Sequence, residues 1–187
     1  KWGWVGGTSE LEQGTTAWLK NEVEKHEVFD HPIAGNLIPQ IGSHRSGGMT
    51  SEEMKMVLET KRIFDDETIG VCATCVRVPV AVSHSESILI ETETKISAND
   101  ARRLLADAPG IEVVDNLEKG VYPMPRTSSS QDAVFVGRIR EDTSSPTGIA
   151  LWCVSDNLRK GAATNAVQIA EHVVTRGLLS WERTVHG

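Results

Sequence analysis

The sequence predicts an α+β domain: a mixed, largely antiparallel sheet with helices packed on one face. Three observations carry this. Extended, β-branched stretches lie at 71–92, 111–114, 133–140 and 149–155, with helical periodicity between some of them but no strict strand–helix–strand rhythm. The last two are joined by an acidic, Ser/Pro-containing loop at 141–148, which reads as a hairpin connection. No Gly-x-Gly-x-x-Gly opens a helix, so no dinucleotide fold is visible.

The bulk properties narrow the field. At 187 residues the chain is long enough to bury a real core and is expected to form a single domain. Hydrophobic content of 39% and charged content of 24% are those of a soluble globular protein. A net charge of −7 argues against a nucleic-acid binder, which would show a basic patch or stripe. No apolar run reaches the length of a membrane span, so no membrane role is expected. Three cysteines, an odd count, together with no charged-then-apolar leader, point to a reducing, cytoplasmic location. The opening residues contain no initiator Met and read as entering in the middle of something.

In chain order, residues 1–7 are rich in Gly and Trp and read as a loop. Ser9 opens a helix expected to reach about Lys25, weakened by Gly14. His31 to Ile41 is apolar but broken by Pro32, Gly35 and Pro39, which favours an irregular or edge segment. Residues 43–48 form a turn-rich loop. Thr50 with Glu53 makes a capping box for a helix that Asp65-Asp66 ends; Met54, Val57, Leu58 and Phe64 are expected to face the core, with Glu52, Lys55 and Glu59 opposite. A central strand from Val71 follows, then a second strand at 87–92 with Ile88 and Ile90 on one face. Ser97 with Asp100 caps a short helix that Pro109-Gly110 stops, and a short strand runs from Ile111 to Val114. Residues 116–131, with Pro123, Pro125 and a serine run, make a long surface loop before the hairpin. A last helix from about Arg159 to Arg176 is expected to bury Ala163, Ala166, Val167, Ala170, Val173 and Val174.

The segment from Val71 to Glu91 carries two side chains of chemical interest. Arg77 sits in an otherwise apolar run, and a guanidinium buried along a strand is costly unless an anion meets it. His84 follows after a proline break and can move protons near neutral pH. The plainer alternatives are an arginine paired to a neighbouring carboxylate and a structural histidine. Glu52 and Lys55, at i and i+3, are either a solvated ion pair or a carboxylate for a substrate ammonium beside an ammonium for a phosphate. The run 155–163, SDNLRKGAA, feeds a helix start and suits an anion or a nucleotide amide, or else simple capping. Cys72 and Cys75 match Cys-x-x-Cys, but on a strand they would point to opposite faces, and no second ligand pair exists; no metal site is expected.

Taken together, Ala73-Thr-Cys-Val-Arg-Val-Pro-Val, Ser83-His-Ser-Glu, Asn36-Leu-Ile-Pro-Gln-Ile, Glu52-Glu-Met-Lys-Met with Glu59-Thr-Lys, Phe135-Val-Gly-Arg-Ile-Arg, and the run from Ser155 to Glu171 strongly resemble the C-terminal domain of aspartate-semialdehyde dehydrogenase. The resemblance implies a glyceraldehyde-3-phosphate-dehydrogenase-like C-terminal fold. It also implies NADP-dependent reduction of β-aspartyl phosphate to aspartate semialdehyde and phosphate, in the biosynthesis of lysine, threonine and methionine. Carried over by match, Arg77 binds the substrate carboxylate, His84 is the general acid/base, Glu52 holds the substrate ammonium, Lys55 the phosphate, and Asn157 lies near the nicotinamide end of the cofactor. A homodimer or homotetramer built through the sheet is implied as well. The family's Asn-Pro-Asn-Cys type nucleophile motif does not occur in this sequence, and none of Cys72, Cys75 or Cys153 matches it. The expectation is a catalytic and dimerisation half without its NADP-binding domain, inactive alone. The alternative is a non-catalytic binding or dimerisation module.

Overall fold

Side chains that bond to the backbone within three residues of themselves set the two best-defined helix starts. In the computed structural model, which describes residues 4–178, Thr50 Oγ1 accepts the N–H of Glu53 at 3.3 Å while the Glu53 carboxylate accepts that of Thr50 at 2.7 Å. This complete capping box opens helix α2, Ser51–Phe64, and Asp65 ends it in the left-handed region at φ 51°. Helix α3, Ala98–Ala106, starts likewise on Ser97, whose Oγ accepts the Asp100 N–H at 3.1 Å.

The chain divides into two compact units, Lys1–Ala81 and Val82–Gly187. In the first, helix α1 spans Trp4–Leu19 and so begins and ends earlier than its sequence suggests; residues 1–3 lie outside the described region. Packing overrides the helix-breaking glycines. Gly7 lets the Phe29 ring approach, since a Cβ there would stand 3.2 Å from it. The Glu10 carboxylate accepts the N–H groups of Glu27, Val28 and Phe29, which ties the helix to the chain that follows. The Pro/Gly-punctuated segment is irregular, as expected, and supplies the buried residues Ile33, Ala34 and Ile38. The apolar stripe of α2 differs from expectation. Met54 and Val57 are half-buried, but Leu58 is 59% and Phe64 68% exposed, and the fully buried member of the helix is Glu53.

The expected central strand from Val71 does not form. Residues 71–81 pair at one point, an antiparallel bridge in which Arg77 N–H donates to Ile38 O at 2.9 Å and Ile38 N–H to Arg77 O at 3.0 Å. The partner stretch ends at Pro39, which has no N–H to continue a ladder, so β-branched composition has nothing to pair with.

The second unit holds a four-stranded mixed sheet in the order β1-β4-β3-β2, with β1 His84–Glu91, β2 Ile111–Val113, β3 Val134–Glu141 and β4 Gly148–Ser155. β1 and β3 pair antiparallel to β4, and β2 runs parallel to β3. This is the mixed, largely antiparallel sheet that the sequence predicts. Val136, Ile139, Ile149 and Leu151 form its core, packed against Ile88 and against Ala101 and Leu105 of α3. The register shifts between Gly137 and Arg140, and Asp115 satisfies the bulge by accepting the N–H groups of Arg138 and Ile139 while pairing with Arg102 at 2.8 Å. Gly137 is required there, because a Cβ would collide with Val114 O and Pro123 Cδ. The long loop contains a 3₁₀ turn, Leu117–Lys119, and one short helix, α4, Pro125–Ser128.

The final helix begins as a π-helical turn, Arg159–Ala163, and continues as α5, Thr164–Thr175. Its expected buried stripe is open instead: Val167 is 57% and Val174 67% exposed, Ala163, Ala166 and Ala170 are exposed, and only Val173 is half-buried. Helical periodicity reports an apolar face, not what covers it.

Candidate functional site

In the first unit, Arg77 is exposed rather than buried on a strand. Its backbone is fixed by the bridge to Ile38, and its guanidinium carbon lies 5.2 Å from the centroid of the Phe29 ring. Among the described residues no carboxylate forms an ion pair with it. An aromatic face supports the planar cation while leaving its N–H fork free for a bidentate anion.

The segment that carries Arg77 is anchored by Glu53. Besides closing the capping box, its carboxylate accepts the Cys75 N–H at 3.0 Å. That bond first, and the Thr50 N–H next, hold the Glu53 carboxyl below the usual carboxylate range. Sequence reasoning sees Glu53 only as a cap. A carboxylate that serves a helix start and a segment more than twenty residues away leaves no local mark. On the next position Glu52 is paired with Lys55, Nζ to Oε1 3.2 Å, with Glu52 36% and Lys55 54% exposed. The hydrogen bond that Lys55 donates to Glu52, and the Glu52 charge, raise the Lys55 pKa.

In the second unit, His84 opens β1 and pairs with Ser155 at the end of β4. It is exposed, and among the described residues its ring has no hydrogen-bond partner. Ser83 before it is 7% exposed with φ +82°, a conformation non-glycine residues seldom adopt. Its N–H donates to Asn157 Oδ1 at 3.0 Å, and its Oγ lies 3.4 Å from Pro125 O. Asn157 is thus brought beside the residue preceding His84, a proximity that neither sequence position announces.

The loop around Asn157 is tightly satisfied. Asp156, 3% exposed, accepts the N–H groups of Ser130, Leu158 and Arg159 at 2.7, 2.8 and 3.1 Å. Burial pushes its carboxyl up, but the three N–H groups outweigh that and leave it lowered. Arg159 grips Asp132 with two bonds of 2.8 Å, Thr164 adds a third of 2.6 Å, and together they lower Asp132 to about 2. Lys160 Nζ donates to Gln168 Oε1 at 2.6 Å. Both cations of the run are therefore engaged by the protein's own side chains, Asp132 and Gln168, in exposed bonds.

Of the cysteines, Cys72 is exposed, Cys75 and Cys153 half-buried. Burial, then the charge of Glu86, pushes the Cys153 thiol up to about 11, so it is no thiolate at neutral pH. Among the described residues no group of three metal-ligating side chains converges, and no helix is long and apolar enough to cross a membrane.

Comparison with known proteins agrees with these motifs. The family model described as semialdehyde dehydrogenase, dimerisation domain, matches residues 6–160. An aspartate-semialdehyde dehydrogenase of Aquifex aeolicus is 50% identical over 171 residues, 91% of this chain and 50% of that protein. One from Legionella pneumophila is 53% identical over 146 residues, 78% of this chain and 42% of that protein. The crystal structure of aspartate semialdehyde dehydrogenase II from Vibrio cholerae, complexed with ASA, superposes with a TM-score of 0.86 at 45% identity, over 90% of this chain and 50% of that one. A Candida albicans aspartate semialdehyde dehydrogenase with NADP gives 0.61 at 28% identity, over 79% and 47%. The chain spans about half the length of the curated relatives it matches.

Proposed function

Because the chain belongs to the semialdehyde dehydrogenase dimerisation-domain family, we propose that it is the substrate-binding, acid/base and dimerisation half of an NADP-dependent aspartate-semialdehyde dehydrogenase. The reaction is reduction of β-aspartyl phosphate to aspartate semialdehyde and phosphate, a step toward lysine, threonine and methionine. The observation that carries this reading is Arg77: a guanidinium seated on an aromatic ring, with no carboxylate paired to it among the described residues. Such a group is prepared for a substrate carboxylate.

His84, with an unpartnered ring, donates and accepts the proton of the reacting carbonyl group. Glu52 takes the substrate ammonium and Lys55 the phosphate, and for this their 3.2 Å ion pair opens. An exposed pair of this kind is worth only about 0–1 kcal/mol, so a doubly charged ligand can displace it. NADP, when bound, supplies the hydride. This chain's contribution to it fits an amide rather than a phosphate, since Arg159 and Lys160 are engaged while the Asn157 carboxamide still has its N–H₂ to give. A second copy of the chain is the partner for dimerisation through the sheet, where Leu89 of β1 stands 65% exposed.

Mixing the chain with a nucleotide-binding half of this enzyme class, and following phosphate-dependent NADP reduction, tests the reading. Restored turnover that His84→Ala abolishes supports it. The 187 residues alone are expected to give none, since their sequence lacks the nucleophile motif. A stable dimer without turnover in the mixture favours a non-catalytic module.

A further inference from the structure

We propose that Asn157 is a positioning residue for His84, its side-chain oxygen fixing the backbone from which the imidazole projects. The inference rests on the acid/base role given to His84 above. A general acid/base is ordinarily aimed by a third group bonded to it. Among the described residues the His84 ring has no such partner, so the backbone does the aiming.

That backbone is held on both sides by one short stretch. Ser155 pairs with His84 itself, and Asn157, two residues on, receives the N–H of Ser83 at 3.0 Å. Ser83 is a buried non-glycine residue at φ +82°. Such a conformation persists only where surrounding contacts over-determine it. Its hydroxyl contact to Pro125 O, at 3.4 Å, is long, so the Asn157 bond is the firmer of the two. Asn157 is itself kept in place by its neighbour Asp156, whose buried carboxylate gathers the N–H groups of Ser130, Leu158 and Arg159. Releasing Ser83 would let the chain relax toward ordinary φ and swing the root of His84 away from its working direction.

The test uses the enzyme assembled from this chain and a nucleotide-binding half. Asn157→Ala is expected to lower kcat about tenfold while KM for aspartate semialdehyde stays within about twofold. Asn157→Asp, which keeps an oxygen acceptor at the same reach, recovers most of that loss. In a His84→Ala background, Asn157→Ala costs less than about twofold of the residual rate, because nothing is left to aim. Should the alanine variant not fold, Asn157→Ser, polar but too short to reach Ser83, shows the same kcat-against-KM split. Equal losses with and without His84, or an unchanged kcat, overturn the proposal. Full turnover by His84→Ala overturns instead the acid/base role on which it rests.

Discussion

Each unit of this protein uses a buried carboxylate to hold a segment that bears a candidate site residue, and the two do it differently. In the first, Glu53 both caps α2 and accepts the Cys75 N–H, two residues before Arg77. In the second, the tasks are split: Asp156 gathers its own loop, and Asn157 beside it reaches Ser83, one residue before His84. Where one carboxylate does both jobs, placement of the functional segment cannot be lost without loosening the helix. Where two side chains share them, placement can fail while the loop stays intact. Stability and activity should therefore move together on the Glu53 side and separate on the Asn157 side.

Substitution of the residues so held should give the largest effects. In the assembled enzyme, His84→Ala should lower kcat by about 10²–10⁴-fold. Arg77→Lys should raise KM for the amino-acid substrate about 100-fold through loss of bidentate geometry, with thermal unfolding unchanged, since the guanidinium lies exposed on Phe29. Unfolding of the Arg77 variant in a thermal melt would show it to be structural and would break the symmetry between the units. Next comes the linkage on the Glu53 side. Glu53→Ala should lower Tm by about 5 °C and raise KM at the same time. A variant that loses affinity at wild-type Tm would mean the capping bond and the Cys75 bond are independent.

A smaller effect sharpens the Asn157 side. Asp132 is lowered to about 2 from an ordinary 3.8, so in its ionised form it favours the folded state. That contribution is fully present above about pH 4 and is lost as pH falls toward 2. Urea midpoints of wild type and Asp132→Asn should differ most at about pH 6, and the gap should narrow as pH falls through about 2; an unchanged gap would place the stabilisation elsewhere. The smallest is chemical: Cys72 should react with a thiol reagent in the native protein at pH 8, and Cys153, with its pKa near 11, only after unfolding.

Much of this was written locally. Thr50 with Glu53 and Ser97 with Asp100 announce their helices because cap and partner are three residues apart. The β3–β4 hairpin is legible for the same reason, its strands being neighbours in the chain. The stretch from Val71 was misleading, because a β-branched run states a preference for extension and not whether a ladder is available to join. The apolar faces of α2 and α5 likewise declare themselves as stripes, yet Phe64 and Val174 stand in solvent.

By itself the sequence determined the caps, the hairpin, the mixed α+β character and the motifs by which the family is known, since each depends on residues a few positions apart or on their identities alone. Only the tertiary structure decided that Arg77 is exposed on Phe29, that Glu53 reaches Cys75, and that Asn157 meets Ser83 across 74 positions of chain. Such contacts are set by how whole elements pack, and the order of residues along the chain does not state which elements will meet.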